Sequence, residues 1–189
     1  MAVNQTIGRF IEVASKRDFA RDNLFRIMYL SCRNLTLSED DLVYARGGKL
    51  PSRETPVATN VGYMGMKMPY TRSTVAYPNN EAYEIEFYLD ANSEIAHKFE
   101  RASRTAFNDM TSTGDWRFPS LSDEMTVAVL DINLDPIEYI TFQGVSFVKF
   151  DNDDFKVADD ATGEAIKIRA TISYINYVRE GSNTVFAGV

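Results

Sequence analysis

One cysteine, one histidine and one tryptophan occur in 189 residues, and each scarcity excludes something. A lone Cys32 cannot close a disulfide within the chain, so the sequence is not that of a small domain stapled by disulfides. With His97 as the single imidazole, the chain offers neither a Cys/His metal cluster nor a His-based triad with Cys32. No run of 18 or more apolar residues occurs, so no transmembrane helix is expected. Residues 1–25 lack an apolar core of signal-peptide length, which points to synthesis in the cytoplasm. Positive charge is short as well: 20 Lys and Arg stand against 27 Asp and Glu, a net charge of −7, with no basic block. A protein that grips phosphates by counterion release needs the opposite balance.

What is present is material for one folded domain over residues 1–189. The hydrophobic fraction is 44% and the aromatic fraction 12%, enough to bury a real core. Ile7, Phe10, Ile11 and Ala14 recur at helical spacing and read as a short amphipathic helix over about 6–16. From 24 to 30, Phe25, Ile27 and Tyr29 alternate with Leu24, Arg26 and Met28, the pattern of a strand lying on a core. Residues 38–60 break every periodicity with Glu39, Asp40, Asp41, Gly47, Gly48, Pro51 and Pro56, and read as a long exposed loop serving as a contact surface. Residues 82–89 form the clearest strand, with Tyr83, Ile85, Phe87 and Leu89 on one face and Glu84 and Glu86 on the other.

A helix is expected after Ser93 as N-cap, with Ile95, Phe99, Ala102 and Ala106 on its apolar stripe. The pairs Glu94/Lys98 and Glu100/Arg104, four apart, mark its outer face. Segments 126–134 and 137–145 read as a hairpin turning at Asp135-Pro136, with Gly144 at a kink. A long strand follows, its face made of Ile166, Ile168, Ala170, Ile172 and Tyr174. The sum is a mainly antiparallel β-barrel or sandwich with one principal helix.

Several tempting sites dissolve on inspection. The acidic run Asp151, Asp153, Asp154, Asp159 and Asp160 suggests calcium, yet an EF-hand loop begun at Asp151 puts Phe155 where an oxygen ligand belongs and Thr162 at the closing Glu position; a solvated turn is the better reading. Gly47-Gly48-Lys49 lacks the rest of a phosphate-binding loop. His97 falls on the polar helix face with Arg101 and Arg104. Trp116, beside Arg117 and Phe118, reads as an interface anchor or a core cap. No catalytic residue, cofactor or metal site is expected.

One stretch is more specific. Asp18-Phe19-Ala20-Arg21-Asp22-Asn23-Leu24-Phe25 resembles the D-F-A-R-x-N-L-F lead-in to the first strand of tail tube proteins of contractile-tailed bacteriophages, the myovirus tail tube family. Val61-Gly62-Tyr63-Met64 is similar to the family's V-G-F-M turn into its second hairpin. The order of elements also matches: an acidic-aromatic strand before the helix, a Gly after an I-x-F strand at 140–144, and a closing strand with late aromatics Tyr174 and Tyr177. The resemblance runs over about 15–178. Asp22 stands where the family often has Pro, and the 38–60 segment is longer.

The resemblance implies a structural virion protein made in the host cytoplasm: a tail tube subunit in stacked hexameric rings, enclosing the lumen through which DNA is ejected. Its partners would be itself, the tail sheath, the baseplate and tail terminator proteins, and, in the lumen, the tape measure protein and passing DNA held without specific binding. Strands joined across subunits leave no open edges. An acidic wall would repel phosphates over roughly 8 Å at physiological salt. Glu84 and Glu86 are the lumen candidates. Candidate contacts between subunits or rings are Phe19, Arg21, Asn23, Gly47, Gly48, Lys49, Arg53 and Trp116. Within the same class stand a baseplate tube-initiator and a secretion-system-type tube subunit. Outside it stand a monomeric barrel holding a small apolar ligand against the 166–174 face, and an enzyme, disfavoured for want of a catalytic cluster.

Overall fold

Strict alternation of bulky apolar and charged residues forces a strand to lie between a core and solvent, and this chain repeats that device many times. The computed structural model describes residues 24–64, 66–71, 74–114, 119–153, 165–181 and 184–185, with Ile7 alone before them. The expected 6–16 helix, the 18–23 lead-in and Trp116 therefore lie outside the described residues. In chain order the elements are β1 (Phe25–Cys32), β2 (Leu35–Thr36), α1 (Glu39–Val43), β3 (Ala45–Gly48), β4 (Val57–Tyr63), β5 (Met66–Thr71), β6 (Tyr83–Tyr88) and α2 (Glu94–Ala106). There follow β7 (Phe107–Asn108), β8 (Thr113–Gly114), β9 (Glu124–Leu130), β10 (Pro136–Gln143), β11 (Ser146–Asn152), β12 (Lys167–Ser173), β13 (Asn176–Gly181) and β14 (Thr184–Val185).

Two antiparallel sheets make the body: six strands in the order β14-β13-β10-β9-β1-β2, and four in the order β11-β12-β6-β3. The mainly-β architecture with one principal helix is the one expected. In β6, Tyr83, Ile85 and Phe87 are buried while Glu84, Glu86 and Tyr88 look outward. β12 matches it residue for residue, pairing Ile168 with Phe87, Ala170 with Ile85 and Ile172 with Tyr83. Leu30, Met125, Ile140 and Phe142 complete the core from the six-stranded sheet. Each such side chain contributes about 1.5–3 kcal/mol on burial, and a one-residue slip would turn all of them to water.

α2 closes one side of the sandwich with Ile95, Phe99 and Ala102. Phe99 lies parallel to Phe147 of β11, centroids 5.6 Å apart, and edge-on to Phe87. Ser93 is the N-cap residue, but its backbone is left-handed (φ 57°) and its side chain makes no cap bond. Asp90 does the capping instead, accepting from the amides of Glu94 and Ile95.

Four further expectations are corrected. Residues 38–60 are not one loop: they hold α1, β3 and the start of β4. Ser38 and Asp41 form a capping box, each side chain bonding the other's amide, and three acidic residues in the first turn suit a helix N-terminus. In β1 the register shifts between Ile27 and Tyr29, so Leu30 is buried and Tyr29 is exposed, against the simple alternation. The β9–β10 hairpin needs a five-residue connection, in which Asp131 Oδ1 accepts from the amides of Asn133 and Asp135. β9 accordingly ends at Leu130. Finally, the closing strand stops at Ser173, and after a corner at Tyr174–Ile175 the chain crosses to the other sheet as β13, which carries Tyr177. Gly144 sits under that corner at φ +66°, where an added Cβ would lie 2.5 Å from Ile175 Cδ1.

Candidate assembly surfaces

Both sheets end on strands that have no described neighbour beyond them. β3 has four residues and β14 and β2 two each, while β11 is longer, at seven. Short, bulged edges are the usual guard against uncontrolled pairing, and β3 and β11 both carry a register shift. Their outward amides and carbonyls form a template for a partner strand.

The outer face of the four-stranded sheet is charged, and its charges answer one another. Glu86 Oε1 lies 3.1 Å from Arg169 Nη2, its cross-strand partner. Glu84 Oε2 is 3.9 Å from Lys49 Nζ, and Lys149 Nζ is 2.7 Å from Asp151 Oδ2. The two lumen candidates thus share one surface, each matched by a cation. All these pairs are half exposed, so each is worth little in stability; their effect is to flatten the field over the face.

Gly47 and Gly48 belong to β3, with Gly47 opposite Glu86 and Gly48 opposite Ile85, not to a phosphate cradle. The carbonyl of Lys49 then accepts a hydrogen bond from the Tyr83 hydroxyl. Pro51 is buried, and its carbonyl accepts from Arg179 Nη2 at 3.3 Å. Arg53 is exposed. Glu54 and Ala76 exchange two backbone hydrogen bonds of 2.8 and 2.9 Å. Past these anchors β4 and β5 pair as a hairpin arm on which no other described element packs extensively. Val61-Gly62-Tyr63 lie in β4, and Met64 turns at the tip, φ 48°.

Among the described residues, two of the hollows are apolar. One of 240 Å³ lies between the sheets, bounded by Phe25, Ile27, Leu50, Tyr83 and Val127 among others. The 166–174 face does not line it: Ile168, Ala170, Ile172 and Tyr174 are in the packed core. The second, a groove of 490 Å³, runs between α1, β1 and the β9–β10 turn. Sequence reading missed this groove, whose signal was apolar residues, such as Val43 and Leu134, at positions a solvated turn would fill with polar ones; of the arm it had the turn at Val61-Gly62-Tyr63-Met64, through the family resemblance, but not its extent. His97 is exposed beside Arg101 and Arg104 in a broad polar hollow. Among the described residues no three His, Cys, Asp or Glu side chains stand together as a metal site, and no helix is long and apolar enough to cross a membrane. Phe19, Arg21, Asn23 and Trp116 fall outside the described residues.

No protein-family model matches the chain, and no curated protein matches it in sequence. Solved structures do match. A chain in the cryo-EM structure of the anti-feeding prophage baseplate, 6-fold symmetrised, superposes with a TM-score of 0.61 at 12% identity, over 88% of this chain and 98% of that one. A chain in the sheath–tube complex of an extracellular contractile injection system in its extended state gives 0.50 at 7% identity, over 90% and 97%. At such identities the likeness is one of fold, and the fold is that of chains from contractile injection machines, in keeping with the tail-tube resemblance in the sequence.

Proposed function

We propose that the chain is a tube subunit of a contractile injection machine, a structural protein that assembles with copies of itself and performs no catalysis. The observation that carries this reading is the sandwich whose sheets, among the described residues, end on strands with no neighbour beyond them, a fold packed in its core with borders open to pairing. Neighbouring copies can continue each sheet and occupy those backbone groups, which is the economical way to end edge pairing. The fold shared with an injection-system sheath–tube complex supports it over nearly the whole chain.

The finer reading is of hexameric rings stacked inside a sheath, starting at a baseplate and ending at a terminator, with a tape measure protein and then DNA in the lumen of a phage tail. A baseplate tube-initiator or a secretion-type subunit has the same requirements, and copy number per particle separates them. If the outer face of the four-stranded sheet lines the lumen, Glu84 and Glu86 face it already paired with Lys49 and Arg169. Such a wall holds neither polyanions nor polycations firmly, because opposite charges a few ångströms apart cancel within a Debye length. Passage without sticking would follow from cancellation rather than from an acidic field.

A monomeric ligand-binding barrel has the 240 Å³ hollow in its favour, but ligand pockets run to about 300–1,000 Å³. The test is negative-stain microscopy with sedimentation of the full chain across concentration, with and without a baseplate nucleus. Annular or tubular particles are expected; a monomer under every condition overturns the reading.

A further inference from the structure

The 240 Å³ hollow between the sheets is small for a ligand pocket but large enough for one side chain. Ile27, Val127, Tyr83 and Ile85 make its depth and are buried, while Phe25 and Val129, paired across β1 and β9, are half-buried and mark its mouth. No polar group points a free bond into it. The Tyr83 hydroxyl is already given to the Lys49 carbonyl, and the Lys49 ammonium lies 3.9 Å from Glu84 on the outer face of the sheet. A space of this kind offers water no partners, so it stays dry or takes an apolar occupant.

Leu50 also lines the hollow, yet it is 68% exposed. A single exposed leucine is ordinary on a protein surface; one at the lip of an apolar void has somewhere to go. Turning it inward would take its apolar surface out of water and fill the void, and both changes are favourable. Size permits it: apolar cavities of about 150 Å³ admit benzene, which has six carbons against four in the leucine side chain. What holds Leu50 out is the backbone on either side of it. The Lys49 carbonyl accepts from Tyr83, and the Pro51 carbonyl accepts from Arg179 Nη2 at 3.3 Å. The second bond is long for its kind and comes from the opposite sheet, so it is the weaker tether.

We propose that residues 49–51 form a latch with two positions: Leu50 outward, as the structure has it, and Leu50 turned into the hollow when the Arg179 bond to Pro51 opens. Turned in, Leu50 draws the strap onto the sandwich, and the root of the β4–β5 arm with it. Turned out, it leaves that root on its hydrogen bonds alone. The latch operates within one chain, whatever that chain assembles into.

Benzene is the probe, followed in the full chain by the methyl NMR signals of Val127 and Ile85. Because it needs the hollow empty, its apparent affinity scales with the fraction of chains whose Leu50 is out. Arg179→Met removes the bond to Pro51 and should weaken benzene binding about tenfold, and adding Leu50→Ala should restore it. Nuclear Overhauser contacts between the Leu50 and Val127 methyls should appear in Arg179→Met at the same time. Leu50→Ala alone, at an exposed position, should keep the wild-type melting temperature and bind benzene at least as tightly as the wild type. Equal benzene affinity in wild type and Arg179→Met, or a weakening that Leu50→Ala does not restore, would overturn the latch. So would a wild-type chain whose Val127 and Ile85 methyls do not respond to benzene at all.

Discussion

Lys98 Nζ of α2 lies 2.5 Å from Asp41 Oδ2 of α1, joining two helices 57 residues apart in the chain. The sequence pairs Lys98 with Glu94 on its own helix; the tertiary partner takes it instead. Burial works against ionising Asp41, but the bond from Lys98 and those from the Ser38 hydroxyl and amide outweigh it and hold the carboxyl below its ordinary value. A depressed carboxyl contributes its stability in full above the unfolded value of about 3.9 and loses it as pH falls through the folded value. Asp41→Asn is expected to cost about 1–2 kcal/mol near neutrality and nothing in strong acid. The figure is below that for a fully buried pair because Lys98, 37% exposed, can return to water. Urea unfolding at pH 7 and at the acid limit checks it; a cost independent of pH would show that the charge plays no part.

One substitution made at two neighbouring tyrosines should act in opposite directions. The rings of Tyr83 and Tyr174 are 6.0 Å apart and both are buried. The Tyr83 hydroxyl donates to the Lys49 carbonyl, whereas the Tyr174 hydroxyl has no partner among the described residues. Removing a bonded hydroxyl strands its acceptor, so Tyr83→Phe should destabilise by about 1–2 kcal/mol. Removing an unpartnered one relieves desolvation, so Tyr174→Phe should be neutral or stabilise by up to about 1 kcal/mol. Equal effects of the two changes in chemical denaturation would contradict this pairing.

Gly144 is needed for two reasons at once. Its φ of +66° disfavours any side chain, and the space for a Cβ is already taken by Ile175. The clash is with a side chain whose residue is fixed by its amide bonding Gln143 O at 3.0 Å, so it cannot simply move off. Gly144→Ala should cost about 1–3 kcal/mol. Adding Ile175→Ala should recover the steric part and leave the backbone strain, a split that thermal melts of the single and double variants resolve.

The parts of this fold legible in the sequence are those where a side-chain period ran unbroken. β6, with Tyr83, Ile85 and Phe87 inward, and α2, with Ile95, Phe99 and Ala102, emerged with the right faces because their partners merely cover a pattern already present. Three features were hidden by geometry that no period encodes. The bulge in β1 exchanged Tyr29 for Leu30 on the core side; the corner at Tyr174–Ile175 split one apparent strand into two in different sheets; and α1 and β3 are too short, at five and four residues, for a period to register. Of the assembly surfaces, Glu84 and Glu86 could be placed on an outward face, but their cations come from β12 and from the end of β3. Those neighbours are set by sheet order, not by sequence distance.

The arm's root offers the last prediction, since it separates local from global stability. Arg179 lies on β13 with its guanidinium carbon 5.7 Å from the Tyr177 ring, Nη1 3.8 Å from Glu138 and Nη2 donating to the Pro51 carbonyl. It is the one described side chain that ties the six-stranded sheet to the segment between β3 and the arm by such a bond. Arg179→Met keeps much of the apolar stem and removes the donor, and the half-exposed Glu138 can turn to water. The global melting point should therefore move little, while the root opens more often. The Glu54 and Ala76 amides, bonded to each other's carbonyls, report that opening directly. A lost hydrogen bond of about 1–1.5 kcal/mol corresponds to roughly tenfold faster exchange at those two amides. Unchanged exchange there, or acceleration spread evenly into β6 and β12, would mean that Arg179 does not anchor the arm.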